Sequence, residues 1–149
     1  HVQEDYLPPF LTEEPGVESG YMVAQYTSAS PINEARSQGP AAADNTPVSG
    51  NQEDHVSMSV QSAYNARTAL DAAAITVGIE LLAGAQADEF VAEDLQAGVG
   101  ARAAIEAIRE VAPPLTEDRP LQPEIDAARD LVLDGLVARV GGHLADALE

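Results

Sequence analysis

The strongest constraint on the fold of this chain is a helical pattern that runs from Glu53 to about Gly84. Apolar residues recur there every three or four positions, which places them on one stripe of an α-helix. The stripe consists of Val56, Val60, Ala63, Leu70, Ala74, Val77 and Leu81. About thirty residues of helix span roughly 45 Å, a length typical of extended helical bundles. Because the segment is rich in Ala, a second helix can pack closely against it, within a subunit or between subunits.

The remaining pattern also favours an all-α fold. Only 4% of the residues are aromatic, and Ala dominates the apolar set, which favours helix-on-helix packing over an aromatic-rich sandwich. We predict a first helix from about Gly20 to Ser30, capped by Ser19. Pro31 should break or kink it, and a short continuation to Arg36 is possible.

Two further helices are expected after a looser join at 84–100. The first covers Ala101–Val111, with Ile105 and Ile108 on one face, and Pro113 and Pro114 stop it. The second carries Pro123 at its first position and ends at Gly141 and Gly142. Its inward face should contain Ile125, Ala128, Val132, Leu136 and Val140.

These expectations divide the chain into three parts. Residues 1–50 form a loop-rich approach with one helix, residues 51–84 form the long central helix, and residues 85–149 form peripheral helices. The start at His1, without Met, indicates a piece of a longer polypeptide.

The charge of the chain is strongly negative and excludes one class of partner. Twenty-five acids against seven bases, all of them Arg, give a net charge of −18. Such a surface repels nucleic acid and offers no basic patch for it. High salt screens the self-repulsion of an acidic protein, so a halophilic source is one hypothesis and a mesophilic acidic protein is the other.

Cysteine usage and hydropathy limit the function classes further. The chain has no Cys, which excludes disulfides, a thiolate nucleophile and Cys-based metal sites. Uncharged runs are shorter than the roughly 20 residues of a membrane span, and no signal peptide is present. We therefore expect a cytoplasmic protein without a membrane partner.

The stretch NQEDHVSM, which starts at Asn51, is the main candidate for function. Asn51 is a good N-cap residue, and Gln52, Glu53 and Asp54 would then occupy the first helical turn. Acids are favoured there by the positive end of the helix dipole. One interpretation is a capped helix start with solvated acids. The other is that Glu53 is a fixed anion facing a cleft.

Other titratable clusters are expected to be structural. Acidic pairs between α-helical segments raise the alternatives of metal binding or two-carboxylate catalysis, but no His converges on them, which favours a solvated surface. These acids are Asp88, Glu89, Glu93 and Asp94. The three histidines, His1, His55 and His143, are too scattered for a metal site, and a lone histidine such as His55 is more often structural.

Three stretches together resemble the C-terminal region of histidine ammonia-lyases, which are part of the aromatic amino acid ammonia-lyase family. They are Leu7–Gln25 (LPPFLTEEPGVESGYMVAQ), Pro40–Gly50 (PAAADNTPVSG) and NQEDHVSM. The spacing of the Pro, Asp, Ser and Asn residues up to the motif matches the family. The LxPEIDAARDLV stretch near the end of the chain also resembles the family's closing helix. Glu18 departs from the pattern, since the family usually has Asn there.

The resemblance implies a mainly helical lyase fold and the deamination of L-histidine to urocanate and ammonia. It implies a homotetramer in which Gln52 and Glu53 bind the substrate, with Glu53 as the catalytic acid that contacts the imidazole. Lyases for phenylalanine or tyrosine usually carry Gln at the position of Glu53. The resemblance also implies the prosthetic group 4-methylidene-imidazol-5-one (MIO), which forms from an Ala-Ser-Gly triplet.

The sequence contains Val48-Ser49-Gly50 but no Ala-Ser-Gly. Ser49 is therefore not expected to be the precursor of the prosthetic group, and the chain alone is predicted to be inactive. Two alternatives stay open: another MIO-dependent lyase or aminomutase, and a non-enzymatic acidic helical interaction module. A substrate panel with the complete enzyme tests the first. An upstream Ala-Ser-Gly segment in the same gene would exclude the second.

Overall fold

The computed structural model describes residues 6–43, 47–53, 56–92, 95–136 and 138–142. Within these ranges the chain forms a 3₁₀ turn at Pro9–Leu11, four α-helices and a further short helical stretch at 138–142. The helices are α1 (Met22–Ser37), α2 (Ser59–Asp88), α3 (Val99–Arg109) and α4 (Gln122–Leu133). Backbone pairing outside the helices is limited in these ranges to isolated bridges, with no strand. The predicted all-α class is confirmed.

Helix α2 lies at the centre and contacts α1, α3 and α4. The predicted stripe of α2 is only partly its buried face: Ala74 is buried, whereas Val60 and Leu70 are about two-thirds exposed. The residues of α2 that are buried are Ala72, Ala74, Gly78, Ile79, Leu82, Ala85 and Gln86. The helix is apolar on most sides, so its periodicity does not select the face that packs.

The hydrophobic core forms where the C-terminal half of α2 meets the other helices and the loop that follows α3. Its buried members are Tyr21, Ala24, Ile79, Leu82, Ala85, Ile108, Ala112, Leu115, Ile125 and Ala128. The predicted inward positions of α3 are confirmed, because Ile108 is fully buried and Ile105 packs against the core. The core therefore anchors the C-terminal half of α2, and the buried residues of this helix begin at Ala72.

A close crossing joins α2 to α4. A Cβ atom added to Gly78 would lie 2.9 Å from the backbone N of Arg129 and 3.2 Å from the backbone C of Ala128. Glycine at this position therefore lets the two backbones approach. Beside the crossing, Arg129 Nη2 of α4 donates to Asp71 Oδ1 of α2 at 2.6 Å. Asp71 of α2 thus forms an ion pair with Arg129 of α4.

Helix α1 begins later than predicted and continues past Pro31. Ser19 does not cap it: the N-cap residue is Tyr21, and no side chain accepts a hydrogen bond there. Pro31 lies inside the helix, which continues to Ser37, so the possible continuation is confirmed. A proline removes one intrahelical hydrogen bond. The carbonyl group that loses its partner belongs to Thr27, four positions earlier, and Thr27 is partly exposed.

One buried amide fastens two loops to α2. Gln86 is 2% exposed. Its Nε2 donates to the carbonyl oxygens of Leu115 at 3.0 Å and Leu11 at 3.3 Å, while its Oε1 accepts from the backbone N–H of Leu115 at 2.9 Å. The side chain therefore satisfies polar backbone groups that would otherwise be buried without partners.

The last helix begins as predicted and ends earlier. Pro123 lies in the first turn of α4, and Ile125 and Ala128 are buried. The helix stops at Leu133 because Gly135 takes a left-handed conformation, with φ of +88°, just after the C-cap. The chain is helical again at 138–142, so the single helix predicted up to Gly141 is two pieces.

Helix α2 is also the one helix in the described part of the chain that is long and apolar enough to span a membrane by length and composition. Its C-terminal half supplies the core, and Asp71 forms an ion pair with α4. Core helices of bundle proteins pass the same test. We therefore interpret α2 as a bundle helix.

Candidate functional site

The segment that carries Gln52 and Glu53 is a closed turn. The backbone N–H of Val48 donates to the carbonyl oxygen of Glu53 at 3.2 Å, and the N–H of Glu53 donates back to Val48 at 3.3 Å. Within the turn, the N–H of Gln52 donates to the carbonyl oxygen of Ser49 at 3.3 Å. These bonds close the turn, and Gln52 and Glu53 are its last two residues.

The tip of this turn has an unusual backbone. Ser49, Gly50 and Asn51 have φ values of +55°, +64° and +65°. Glycine adopts the left-handed region readily and asparagine tolerates it, whereas for serine it costs of the order of 1 to 3 kcal/mol. Such conformations persist where the surroundings hold them, and they are concentrated at binding and catalytic sites.

The predicted helix start at Asn51 is wrong. Helix α2 begins at Ser59 with Met58 as its N-cap, and no acid lies in its first turn. Asn51 belongs to the turn, so the helix dipole does not act on Glu53 as proposed. The signal that competes with the cap is the Gly50-Asn51 pair, a typical turn sequence. Asp54, which completes the predicted first turn, lies outside the described residues, as does His55.

The side chains of Gln52 and Glu53 are available to a ligand. Both residues are exposed. Within the ranges that the structure describes, neither side chain makes a hydrogen bond or an ion pair. A carboxylate accepts hydrogen bonds, and an amide both donates and accepts them. The turn thus presents adjacent groups suited to a cationic or N–H-bearing ligand.

A chain segment held against α2 leads to the turn. Asn65 Nδ2 donates to the carbonyl oxygen of Gly39 at 3.3 Å, and Asn65 Oδ1 accepts from Gln61 Nε2 at 2.9 Å. Sequence analysis did not single out Asn65. The available signal was its spacing of four residues from Gln61, which brings two amides together on a helix surface.

A separate cleft lies in another part of the described structure. It has a volume of about 520 Å³ and lies between α1 and the start of α4. Its charged groups are already used: Asp118 accepts from the backbone N–H groups of Ser19 and Gly20, and Arg119 binds Glu124 and two loop carbonyl groups. The cleft therefore lacks convergent polar groups for a substrate.

Among the residues that the structure describes, no group of three or more potential metal ligands is clustered. Glu89 instead forms an ion pair with Arg109 at 2.8 Å. Glu93 and Asp94 lie outside the described residues, as do all three histidines. Glu18, whose role the resemblance left open, accepts a hydrogen bond from the hydroxyl group of Thr12.

Comparison with known proteins identifies the family. The model of the aromatic amino acid lyase family matches residues 1–110. A probable histidine ammonia-lyase from Halobacterium salinarum is 49% identical over 145 residues, which is 97% of this chain and 28% of the relative. The chain therefore spans about a quarter of the length of that relative.

Solved structures agree with this match. The crystal structure of histidine ammonia-lyase from Trypanosoma cruzi superposes with a TM-score of 0.85 at 32% identity, covering 92% of this chain and 27% of that one. A tyrosine aminomutase from Streptomyces globisporus gives a TM-score of 0.85 at 35% identity, covering 90% and 26%. The chain belongs to the aromatic amino acid lyase family.

Proposed function

We propose that this chain is part of a histidine ammonia-lyase, which converts L-histidine to urocanate and ammonia. The observation that carries the proposal is the closed turn at 48–53, which presents Gln52 and Glu53 together and unpaired with other described residues. The 49% identity to a probable histidine ammonia-lyase supports the same substrate.

In this proposal Glu53 binds the imidazole of the substrate. An ionised carboxylate accepts a charge-assisted hydrogen bond from an imidazole N–H group, and it stabilises an imidazolium still more strongly. Gln52, next to it on the turn, contacts the substrate through its amide. A neutral Gln in place of Glu53 would suit the uncharged ring of phenylalanine or tyrosine better.

The MIO group would supply the electrophile that makes the amino group of the substrate a leaving group. The residues of this chain do not fit it, because the sequence has no Ala-Ser-Gly triplet. Ser49 follows Val48 and lies exposed at the tip of the turn. We therefore assign the prosthetic group to another part of the lyase polypeptide and derive no step through it here.

The proposal includes two kinds of protein partner, the rest of the lyase polypeptide and the other subunits of a homotetramer. Large apolar side chains in the first half of α2 and on α1 are more than half exposed, namely Val60, Tyr64, Leu70, Val23 and Tyr26. Exposed apolar patches of this kind mark contacts with other protein surfaces. A cytoplasmic location is part of the same proposal.

A second candidate is an aminomutase or a lyase for another aromatic amino acid. It is favoured by the similarity to the tyrosine aminomutase, whose identity of 35% is close to that of the histidine ammonia-lyase structure. A panel of histidine, phenylalanine and tyrosine, offered to the complete enzyme, separates the two candidates.

The decisive experiment replaces Glu53 by Gln in the complete enzyme. The variant keeps the size of the side chain and removes its charge, so kcat/KM for histidine should fall about ten- to a hundred-fold. The thermal transition should change little because Glu53 is exposed. Glu13→Gln, at another exposed acid, is the matched control. Unchanged histidine kinetics in Glu53→Gln would refute the role of Glu53.

A further inference from the structure

We propose that Asn65 is a positioning residue that fixes the closed turn at 48–53 relative to α2. The inference rests on the proposed function, and it assigns a task to a side chain that lies outside the NQEDHVSM stretch. It follows from where the chain enters and leaves the turn.

The chain enters at a point that is fastened to α2. After α1 ends at Ser37, the carbonyl oxygen of Gly39 accepts a hydrogen bond from Asn65 Nδ2 at 3.3 Å. This bond joins positions 26 residues apart. It therefore holds the backbone at Gly39 against α2, a constraint that residues near Gly39 in the sequence do not supply.

The geometry of the Asn65 side chain is itself fixed. Gln61 Nε2 donates to Asn65 Oδ1 at 2.9 Å. The amide oxygen of Asn65 is thereby directed to Gln61 and the amide nitrogen to Gly39. The oxygen and the nitrogen of the Asn65 amide thus each have a hydrogen-bond partner, so the side chain links Gly39 to α2 in one orientation.

The chain leaves the turn into the same helix. Ser57 Oγ accepts the backbone N–H of Ser59, the first residue of α2, at 3.3 Å. Ser59 and Asn65 are separated by about 9 Å along the helix axis, given a rise of 1.5 Å per residue. The described chain is therefore hydrogen-bonded to α2 at Gly39, before the turn, and at Ser57, after it.

Loss of the entry bond should affect binding more than turnover. Without it, the turn samples a wider range of positions, and fewer of them place the Glu53 carboxylate at the imidazole. In the complete lyase, Asn65→Ala should raise KM for histidine about three- to ten-fold, the range expected for one hydrogen bond, with kcat within about two-fold of wild type. Asn65→Gln, which keeps the donor, should restore part of the loss.

The matched control is Thr68→Ala on the same helix, because the Thr68 hydroxyl group bonds only locally, to the carbonyl oxygen of Tyr64. It should leave KM unchanged. The double variant Asn65→Ala/Glu53→Gln should lose less than the product of the two single losses, because the carboxylate is gone and only the weaker amide contacts of the turn remain to be positioned.

The outcomes separate the two proposals. Wild-type KM in Asn65→Ala, in an enzyme that Glu53→Gln impairs, would overturn the positioning role and leave the proposed function intact. Multiplicative losses in the double variant, or an equal rise of KM in Thr68→Ala, would overturn it too. Wild-type kinetics in Glu53→Gln would remove both proposals.

Discussion

Gly20 donates its backbone N–H to Asp118 Oδ1 at 2.9 Å, although 98 positions separate the two residues. The N–H of Ser19 donates to Oδ2 of the same carboxylate at 2.8 Å. Gly20 has φ of +50°, and a Cβ atom there would lie 2.4 Å from the carbonyl oxygen of Phe10. A glycine is thus required where the chain enters α1, and Asp118 holds that entry.

The Asp118 clamp should weaken in acid. The backbone hydrogen bonds from Ser19 and Gly20 lower the pKa of Asp118 below its ordinary value of 3.8, against a smaller opposing effect of desolvation. A lowered pKa in the folded state means that the stabilisation is present above pH 3.8 and is lost as the pH falls through the folded-state pKa.

We therefore expect Asp118→Asn to lower the Tm of the chain near neutral pH. The difference from wild type should shrink as the pH falls through the lowered pKa of Asp118, because the wild-type side chain then becomes neutral too. Thermal unfolding across a pH series measures this, with Glu117→Gln, at the neighbouring exposed acid, as the control. A difference that persists unchanged in strong acid would contradict the clamp.

Two glycines of α2 should respond oppositely to alanine. At Gly84 an added Cβ meets nothing within 4 Å, so Gly84→Ala should raise the free energy of unfolding of the isolated chain by about 0.5 to 1 kcal/mol. At Gly78 the Cβ would lie 2.9 Å from the backbone of α4, so Gly78→Ala should destabilise by about 1 to 3 kcal/mol. Urea unfolding measures both, and equal effects would refute the close crossing.

Salt should strengthen the fold. The net charge of −18 opposes compaction, and molar salt screens that repulsion. Helicity by circular dichroism and assembly by light scattering should both rise along a KCl series. Sucrose stabilises without screening charge and serves as the control. Full helicity at low salt, or an equal response to sucrose, would count against halophilic adaptation.

The isolated 149-residue chain should not deaminate histidine, because it lacks the Ala-Ser-Gly precursor of the electrophile. Mixing it with an upstream lyase fragment that contains the triplet should produce urocanate, which is followed by its ultraviolet absorbance. The upstream fragment alone serves as the control. Urocanate formation by the purified chain without a partner would show that the chemistry is wrongly assigned.

The sequence was sufficient for the helical class and for the helices with clear end signals. Pro123 marked the start of α4, and Ile105 and Ile108 marked the buried side of α3. These signals are local, so they do not depend on what packs nearby. The signal that ends α4, Gly135, is equally local. The apolar residues after it continue the helical pattern, so the prediction extended the helix past it.

The features that were predicted wrongly or missed depend on contacts that local sequence signals do not contain. Asn51 suits both a helix cap and a left-handed turn, and the pairing of Val48 with Glu53 decides for the turn. The buried face of α2 is selected by its partners, because apolar side chains surround most of that helix. The clamp on Ser19 and Gly20 comes from Asp118, almost a hundred positions away, so no local pattern predicts it.

The buried amide of Gln86 has a consequence for the order in which the chain folds. Its bonds to Leu11 and Leu115 reach 75 positions back and 29 positions forward along the chain. Contacts of such sequence separation form only after large loops close, which slows them. We expect α2 to form first as a template, with the Leu11 segment able to dock on Gln86 once α2 has been synthesised and the Leu115 segment docking after it.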